Sequence, residues 1–326
     1  MAKAIFPSHA RPARPGAARR ADDQYGATAQ PDWRSINWRD HLNEIEISGR
    51  RVNYVDIGSG DAGPPVVFVH GLGGAWQNWL ENLPRVAQDR RALALDLPGF
   101  GRSDMPRSEI TISSYARCVN NFCEQLGLDE VVVVGNSMGG FVAAELAIQF
   151  PARVERLVLV SAAGISITNI YRRPTQTWGR VAAVLGAYGA ANTGRAISRR
   201  NIRHLALGFV MRHPTRLRAD LCWEQVHAAG SEGFRDALEA LLDYDFRPRL
   251  GEIACPTLIV WGKEDMLVPV EDADEFQREI PGARKILFED TGHVPMLERP
   301  VMFNDCLMEF LAEPRDAVRG EAEATV

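Results

Sequence analysis

Val131-Val132-Val133-Val134-Gly135-Asn136-Ser137-Met138-Gly139-Gly140-Phe141-Val142-Ala143-Ala144-Glu145-Leu146-Ala147 decides the fold. It reads as a buried strand, a G-x-S-x-G pentapeptide and a helix, in that order. A sharp strand-to-helix turn holds the Ser137 hydroxyl clear of its own backbone at the end of a sheet. The flanking glycines let strand and helix pass close to that turn. The helix N-terminus aims backbone N–H groups at the place where negative charge would develop. The pentapeptide alone decides little, because about one chain in ten of this length carries it by chance at average glycine and serine usage. The strand and helix on either side are what weigh against an ordinary glycine-rich turn.

Outward from this stretch, short continuous apolar runs recur at residues 66–69, 92–95, 157–160 and 258–261. A sheet covered on both faces requires runs of this kind. Helical periods lie between several of them; Tyr115, Val119, Phe122, Cys123 and Leu126 share one helix face. Residues 44–47 and 52–55 alternate in character around Gly49 and predict an antiparallel hairpin. Strand–helix alternation implies a mostly parallel α/β sheet. It breaks between about 165 and 247, where the pattern is helical. That break predicts a cap inserted over the carboxyl ends of the strands, where open α/β sheets bind ligands.

The expected organisation is a disordered N-terminal tail and lead-in over 1–40, a core over 41–164, a helical cap over 165–247, the rest of the core over 248–314, and a C-terminal tail over 315–326. The first thirty residues are basic and rich in Ala and Pro, with no acid before Asp22 and no apolar stretch of a secretory signal. The 326 residues, 46% hydrophobic, suffice for one large core with an insertion. A net charge of −5 makes no case for nucleic acid. Cys118, Cys123, Cys222, Cys255 and Cys306 show no metal-type spacing, and an odd count without a signal reads as reduced thiols in a cytoplasmic protein. No apolar run approaches membrane-spanning length; residues 181–194 suit a packed helix better. From 156 to 218 eleven arginines occur and no acid. A solvated basic face is the plain reading, and attraction to acidic substrates or anionic lipid is the sharper one.

Ser137 needs a base, and histidine suits best because its ordinary pKa lies near neutrality. Of His9, His41, His70, His204, His213, His227 and His293, the last stands out. It follows the strand-like Ile286-Leu287-Phe288 and sits on Asp290-Thr291-Gly292-His293, a loop able to reach the carboxyl edge of the sheet. Asp265, just after the penultimate strand, is the expected orienting acid, with Glu264 turned to solvent and Asp290 tethered beside the base. Ser161-Ala162-Ala163-Gly164, after an earlier strand, offers no carboxylate. For the oxyanion, Met138 N–H and Leu72 N–H, the latter in His70-Gly71-Leu72-Gly73-Gly74, are the expected donors. His70 and Asp96 read as structural.

With these motifs in this order, the chain resembles the α/β-hydrolase family over residues 52–311, apart from the cap. The resemblance adds His70-Gly71 after a strand, Asp96-Leu97-Pro98-Gly99-Phe100-Gly101-Arg102-Ser103-Asp104 beside the site, and the chain order Ser, Asp, His. It implies an α/β-hydrolase fold and acyl transfer from a carboxylic ester without metal or organic cofactor. Carbon–carbon bond hydrolases of aromatic degradation share a Gly-Asn-Ser-Met-Gly-Gly setting, but usually carry a bulkier oxyanion loop and a tryptophan after the catalytic histidine; Val294 stands there. Cofactor-free haloperoxidase or perhydrolase chemistry is a conceivable side reaction, and some relatives act only as ligand receptors or scaffolds. Trp178, Phe209 and Trp223 are the expected substrate contacts, with Tyr171, Tyr188, Met211, Trp76 and Trp79 open between pocket and core.

Overall fold

One eight-stranded sheet organises the computed structural model, which describes residues 13, 15–166, 197–226 and 231–314. The strands are β1 (Leu42–Ile47), β2 (Arg50–Asp61), β3 (Val66–Val69), β4 (Arg90–Leu95), β5 (Val131–Asn136), β6 (Val154–Val160), β7 (Thr257–Gly262) and β8 (Arg284–Phe288). Their order across the sheet is β1-β2-β4-β3-β5-β6-β7-β8. β1 and β2 form the expected hairpin, with Ser48 and Gly49 at φ 53° and 72°. Both central residues of a two-residue turn at positive φ match the twist of the flanking strands. β2 also runs antiparallel to β4, and every later pairing is parallel.

The described helices are α1 (Leu83–Val86), α2 (Ile112–Gln125), α3 (Met138–Gln149), α4 (Arg200–Leu207), α5 (Ala219–Val226), α6 (Phe234–Asp243), α7 (Glu271–Glu279), α8 (Pro295–Glu298) and α9 (Pro300–Ala312). The apolar runs divide by the two-residue period of a strand. Val131, Val133, Leu157, Leu159, Ile259 and Trp261 face one cluster with residues of α2, α3 and α7. Val132, Val134, Val158, Val160, Leu258 and Val260 face a second with Leu83, Phe303 and Leu307. Continuous apolar sequence is thus two alternating faces, each covered by helices. Thr111 starts α2 with a capping box: its hydroxyl accepts from Ser114 N at 2.9 Å, and Ser114 Oγ accepts from Thr111 N at 2.8 Å.

The lead-in departs from the expected disorder. Tyr25 and Trp33 are buried. Ala29 N and Trp33 Nε1 donate to the two oxygens of Glu81 at 2.9 and 3.0 Å, and the Trp38 ring lies 5.1 Å from Trp76. Composition hid this, because a few aromatic rings outweigh many Ala and Pro residues in the apolar area they bury. Residues 1–12 and 14, and the expected C-terminal tail from 315, lie outside the described residues.

Between β6 and β7 the described residues form α4, α5, α6 and a 3-10 segment, Arg247–Glu252, with no strand. Residues 167–196 and 227–230, including Tyr171, Trp178, Tyr188 and the apolar stretch 181–194, lie outside the described residues. Several arginines of the described segment between β6 and β7 have partners. Arg212 pairs with Asp290, Arg218 with Asp220, and Arg216 donates to Asp22 O. Trp79, fully buried against Phe68 and Phe303, belongs to the core, as does Trp76. No helix among the described residues is long and apolar enough to cross a membrane.

Candidate active site

β5 ends at Asn136, and α3 begins at Met138, so Ser137 alone makes the turn. Its backbone sits at φ 55°, ψ −117°. A non-glycine residue in such a sparsely populated region costs on the order of 1–3 kcal/mol and persists only where its surroundings enforce it. They do so here. Ser137 N donates to Val160 O, and Ser137 O accepts from Ala163 N, both at 3.0 Å. The glycines of the pentapeptide are required by crowding. A Cβ on Gly135 would lie 2.2 Å from Gly139 O, and one on Gly139 would lie 2.1 Å from Val69 O. Ala162, in the segment without a carboxylate, packs against Gly140.

β3 delivers the second wall of the site. Gly71 passes so close that a Cβ there would lie 3.3 Å from the Ser137 Cβ. Gly74 N donates to Gly71 O and closes the turn that carries Leu72. Met138 is the first residue of α3, where a backbone N–H has no helical partner. His70 is structural, as expected. Leu97 N donates to its Nε2 at 3.0 Å, which leaves Nδ1 as the donor to Gly71 O at 2.8 Å. With both nitrogens engaged and burial lowering its pKa, the ring is held neutral. Asp96 is structural too, accepting from Trp76 N, Arg102 N and Asn53 Nδ2 at 2.8–2.9 Å.

β7 and β8 bring the acid and the histidine together. Asp265 and His293 are both buried, and His293 Nδ1 lies 2.7 Å from Asp265 Oδ2. Asp265 Oδ1 is occupied by Leu267 N at 2.8 Å and Val268 N at 2.9 Å. Oδ2 is therefore the oxygen left to accept from Nδ1–H, and the ring presents Nε2 as an acceptor. The two loops meet because Gly262 has no side chain: a Cβ there would lie 2.0 Å from Gly292 O. Gly262→Ala is expected to cost about 3 kcal/mol or more, as overpacked backbone contacts do; urea denaturation of the variant measures it. Glu264 is not turned to solvent. It is half-buried and accepts from Thr291 N at 2.9 Å, which ties the same two loops.

Ser137 and His293 are linked through Asn136, whose side chain donates to Val160 O at 3.0 Å and to His293 O at 3.3 Å. Among the described residues no hydrogen bond joins the Ser137 hydroxyl to the His293 ring. His293 N donates to Val210 O, which lies between α4 and α5, at 2.8 Å. Phe209 is half-buried just after α4, and Trp223 on α5 is 42% exposed. Sequence reading missed Asn136, and also Glu298 and Tyr25: Glu298 accepts from Gly292 N beside His293 and from the Tyr25 hydroxyl. Two signals were present: a polar residue closing a strand of four valines and a glycine, and a lone acid within Val294-Pro295-Met296-Leu297-Glu298.

A family model described as the alpha/beta hydrolase fold matches residues 64–300. An uncharacterised protein of Mycobacterium tuberculosis is 31% identical, with 81% of this chain and 83% of that protein covered. A 2-hydroxy-6-oxononadienedioate/2-hydroxy-6-oxononatrienedioate hydrolase of Klebsiella pneumoniae is also 31% identical, over 82% of this chain and 94% of its own. Among solved structures, an N-acyl homoserine lactone degrading enzyme superposes with a TM-score of 0.64 at 25% identity, over 82% of this chain and 100% of its own. The strand order, the strained serine turn and the match across 64–300 lead to one conclusion: the chain belongs to the alpha/beta hydrolase fold family and is a hydrolase of that family.

Proposed function

We propose that the protein cleaves carboxylic esters through an acyl-enzyme, with Ser137 as nucleophile, His293 as general base and acid, and Asp265 as the carboxylate that orients it. The observation that carries this reading is the 2.7 Å contact between His293 Nδ1 and Asp265 Oδ2, with the His293 backbone tied through Asn136 to the strained Ser137 turn. In the first step His293 Nε2 takes the Ser137 proton as Oγ attacks the ester carbonyl. Asp265 stabilises the imidazolium. The N–H groups of Leu72 and Met138 meet the developing oxyanion, each worth about 2.7–4 kcal/mol. Collapse of the tetrahedral adduct expels the alcohol, which receives the proton from His293. Water, deprotonated by His293, then attacks the acyl-enzyme, releases the carboxylic acid and restores Ser137.

The similarity to an N-acyl homoserine lactone degrading enzyme supports this class in that its substrate contains a cyclic ester. The relative that hydrolyses a 2-hydroxy-6-oxo dienedioate favours a second reading, carbon–carbon bond hydrolysis by the same serine and histidine. Val294 after His293, where such enzymes usually carry tryptophan, weighs toward the ester. A short p-nitrophenyl ester tested beside a vinylogous dienoate ketone separates the two. We expect kcat/KM for the ester to exceed that for the ketone by about 100-fold, or roughly 2.7 kcal/mol. The reverse order would establish the carbon–carbon reading. Wild-type protein that turns over neither and resists a fluorophosphonate would be a ligand binder. An ester chain-length series then reports the acyl pocket to which Trp178, Phe209 and Trp223 are assigned.

A further inference from the structure

We propose that Glu298 is a positioning residue for His293 and that the Tyr25 hydroxyl completes it, which makes the lead-in before β1 a working part of the active site. The proposal rests on His293 being the base. Glu298 closes the single-turn helix α8, and its carboxylate is fully buried. Four donors converge on it. Gly292 N lies 3.0 Å from both oxygens, Val294 N 3.3 Å from Oε1, and Arg212 N 2.7 Å from Oε2, which also receives the Tyr25 hydroxyl.

An ionised carboxylate has about four lone-pair sites, so this one is saturated. The donors come from three separate segments: the loop on either side of His293, the cap beyond α4, and the lead-in. A merely local tie within α8 would need only Gly292 and Val294.

The clamp acts on the backbone of one residue. Gly292 and Val294 are held by Glu298, while His293 N donates to Val210 O and His293 O accepts from Asn136. Tyr25 extends the clamp, since its oxygen accepts from His213 N at 2.8 Å. His213 Nε2 in turn lies 2.8 Å from Asp290 Oδ2 at the start of the His293 loop. The lead-in is fastened independently. Gly26 N donates to Glu298 O, and Arg299 pairs with Asp22 while lying 5.5 Å over the Tyr25 ring. A catalytic group displaced by about 1 Å can lose on the order of 100-fold in rate. The ring that must approach Ser137 is thus set by a carboxylate and a phenol that touch neither the nucleophile nor the ring.

The test uses the full chain, with active serines counted by fluorophosphonate titration. Tyr25→Phe is expected to lower kcat per titrated serine about tenfold, with KM within about twofold. Glu298→Gln should lose at least as much, because its amide N–H would face donors. The double variant should be no worse than Glu298→Gln alone, as members of one network are not additive. Phe310→Leu, on the core-facing side of α9, is the control: it should lower the melting temperature and leave kcat per serine intact. Tyr25→Phe retaining kcat, or raising KM alone, would overturn the proposal. Amide exchange at Gly292 and Val294 reads the clamp without substrate. Exchange about tenfold faster in Tyr25→Phe is expected, and unchanged exchange would refute the clamp. Failure of the ester reading would register separately, as wild-type protein without turnover or labelling.

Discussion

Ser137→Ala is expected to lower kcat/KM for a p-nitrophenyl ester by on the order of 10⁶-fold, about 8 kcal/mol of transition-state stabilisation, as loss of a triad nucleophile does. Little else should change. The turn conformation is enforced by Val160, Ala163 and the crowded Gly135–Gly139 contact, none of which uses the hydroxyl. Alanine removes one oxygen from a strained position and leaves the strain. The variant should fold, keep its melting temperature within a few degrees and bind substrate with the wild-type constant. Fluorophosphonate labelling should vanish along with turnover. Ester hydrolysis that survives the substitution at more than a few per cent of the wild-type rate would remove Ser137 from the mechanism, and with it the acyl-enzyme.

The second large effect is expected from Asp265→Asn, about 10⁴-fold in kcat. The reason lies in what already occupies Asp265. Its Oδ1 accepts from Leu267 N and Val268 N, two donors that only an oxygen can satisfy. An asparagine must therefore set its carbonyl toward residues 267 and 268 and turn its NH₂ toward His293 Nδ1. The ring can meet a donor there only by becoming an acceptor at Nδ1, which moves its proton to Nε2. Nε2, the nitrogen proposed to take the Ser137 proton, is then a donor and cannot act as the base. Substrate binding should be nearly unchanged, so the loss belongs to kcat. Steady-state kinetics with active-site titration reads this directly. An Asp265→Asn variant within about tenfold of wild type would mean that another group fixes the tautomer, and half-buried Glu264 would be the next residue to test.

Much of this arrangement was legible in the chain. The runs at 66–69, 131–134, 157–160 and 258–261 are strands because a sheet covered on both faces asks for apolar side chains at every position. The turn at Ser137 is legible because strand, glycine pair and helix adjoin in sequence. Asp265 and His293 could be chosen because each follows a strand directly and so lies at a known rim. His70 and Asp96 were read correctly as structural, and their bonds to Leu97, Trp76 and Arg102 give the reason. What escaped were contacts between segments without periodic pattern. Glu264 was expected in solvent, but the approach of Gly262 to Gly292 brings Thr291 over it.

The primary order by itself determined the strand–helix alternation, the turn at Ser137 and the identity of the triad candidates, because each depends on neighbours within a few residues or on the end of a strand. Only the tertiary structure decided that an Ala- and Pro-rich, basic lead-in packs against the core, and that Tyr25, Arg212 and the His293 loop meet on one buried carboxylate. Those contacts join residues far apart in the chain. They form only after the sheet has set where each loop ends, and a hydrogen bond between distant loops leaves no period in the sequence.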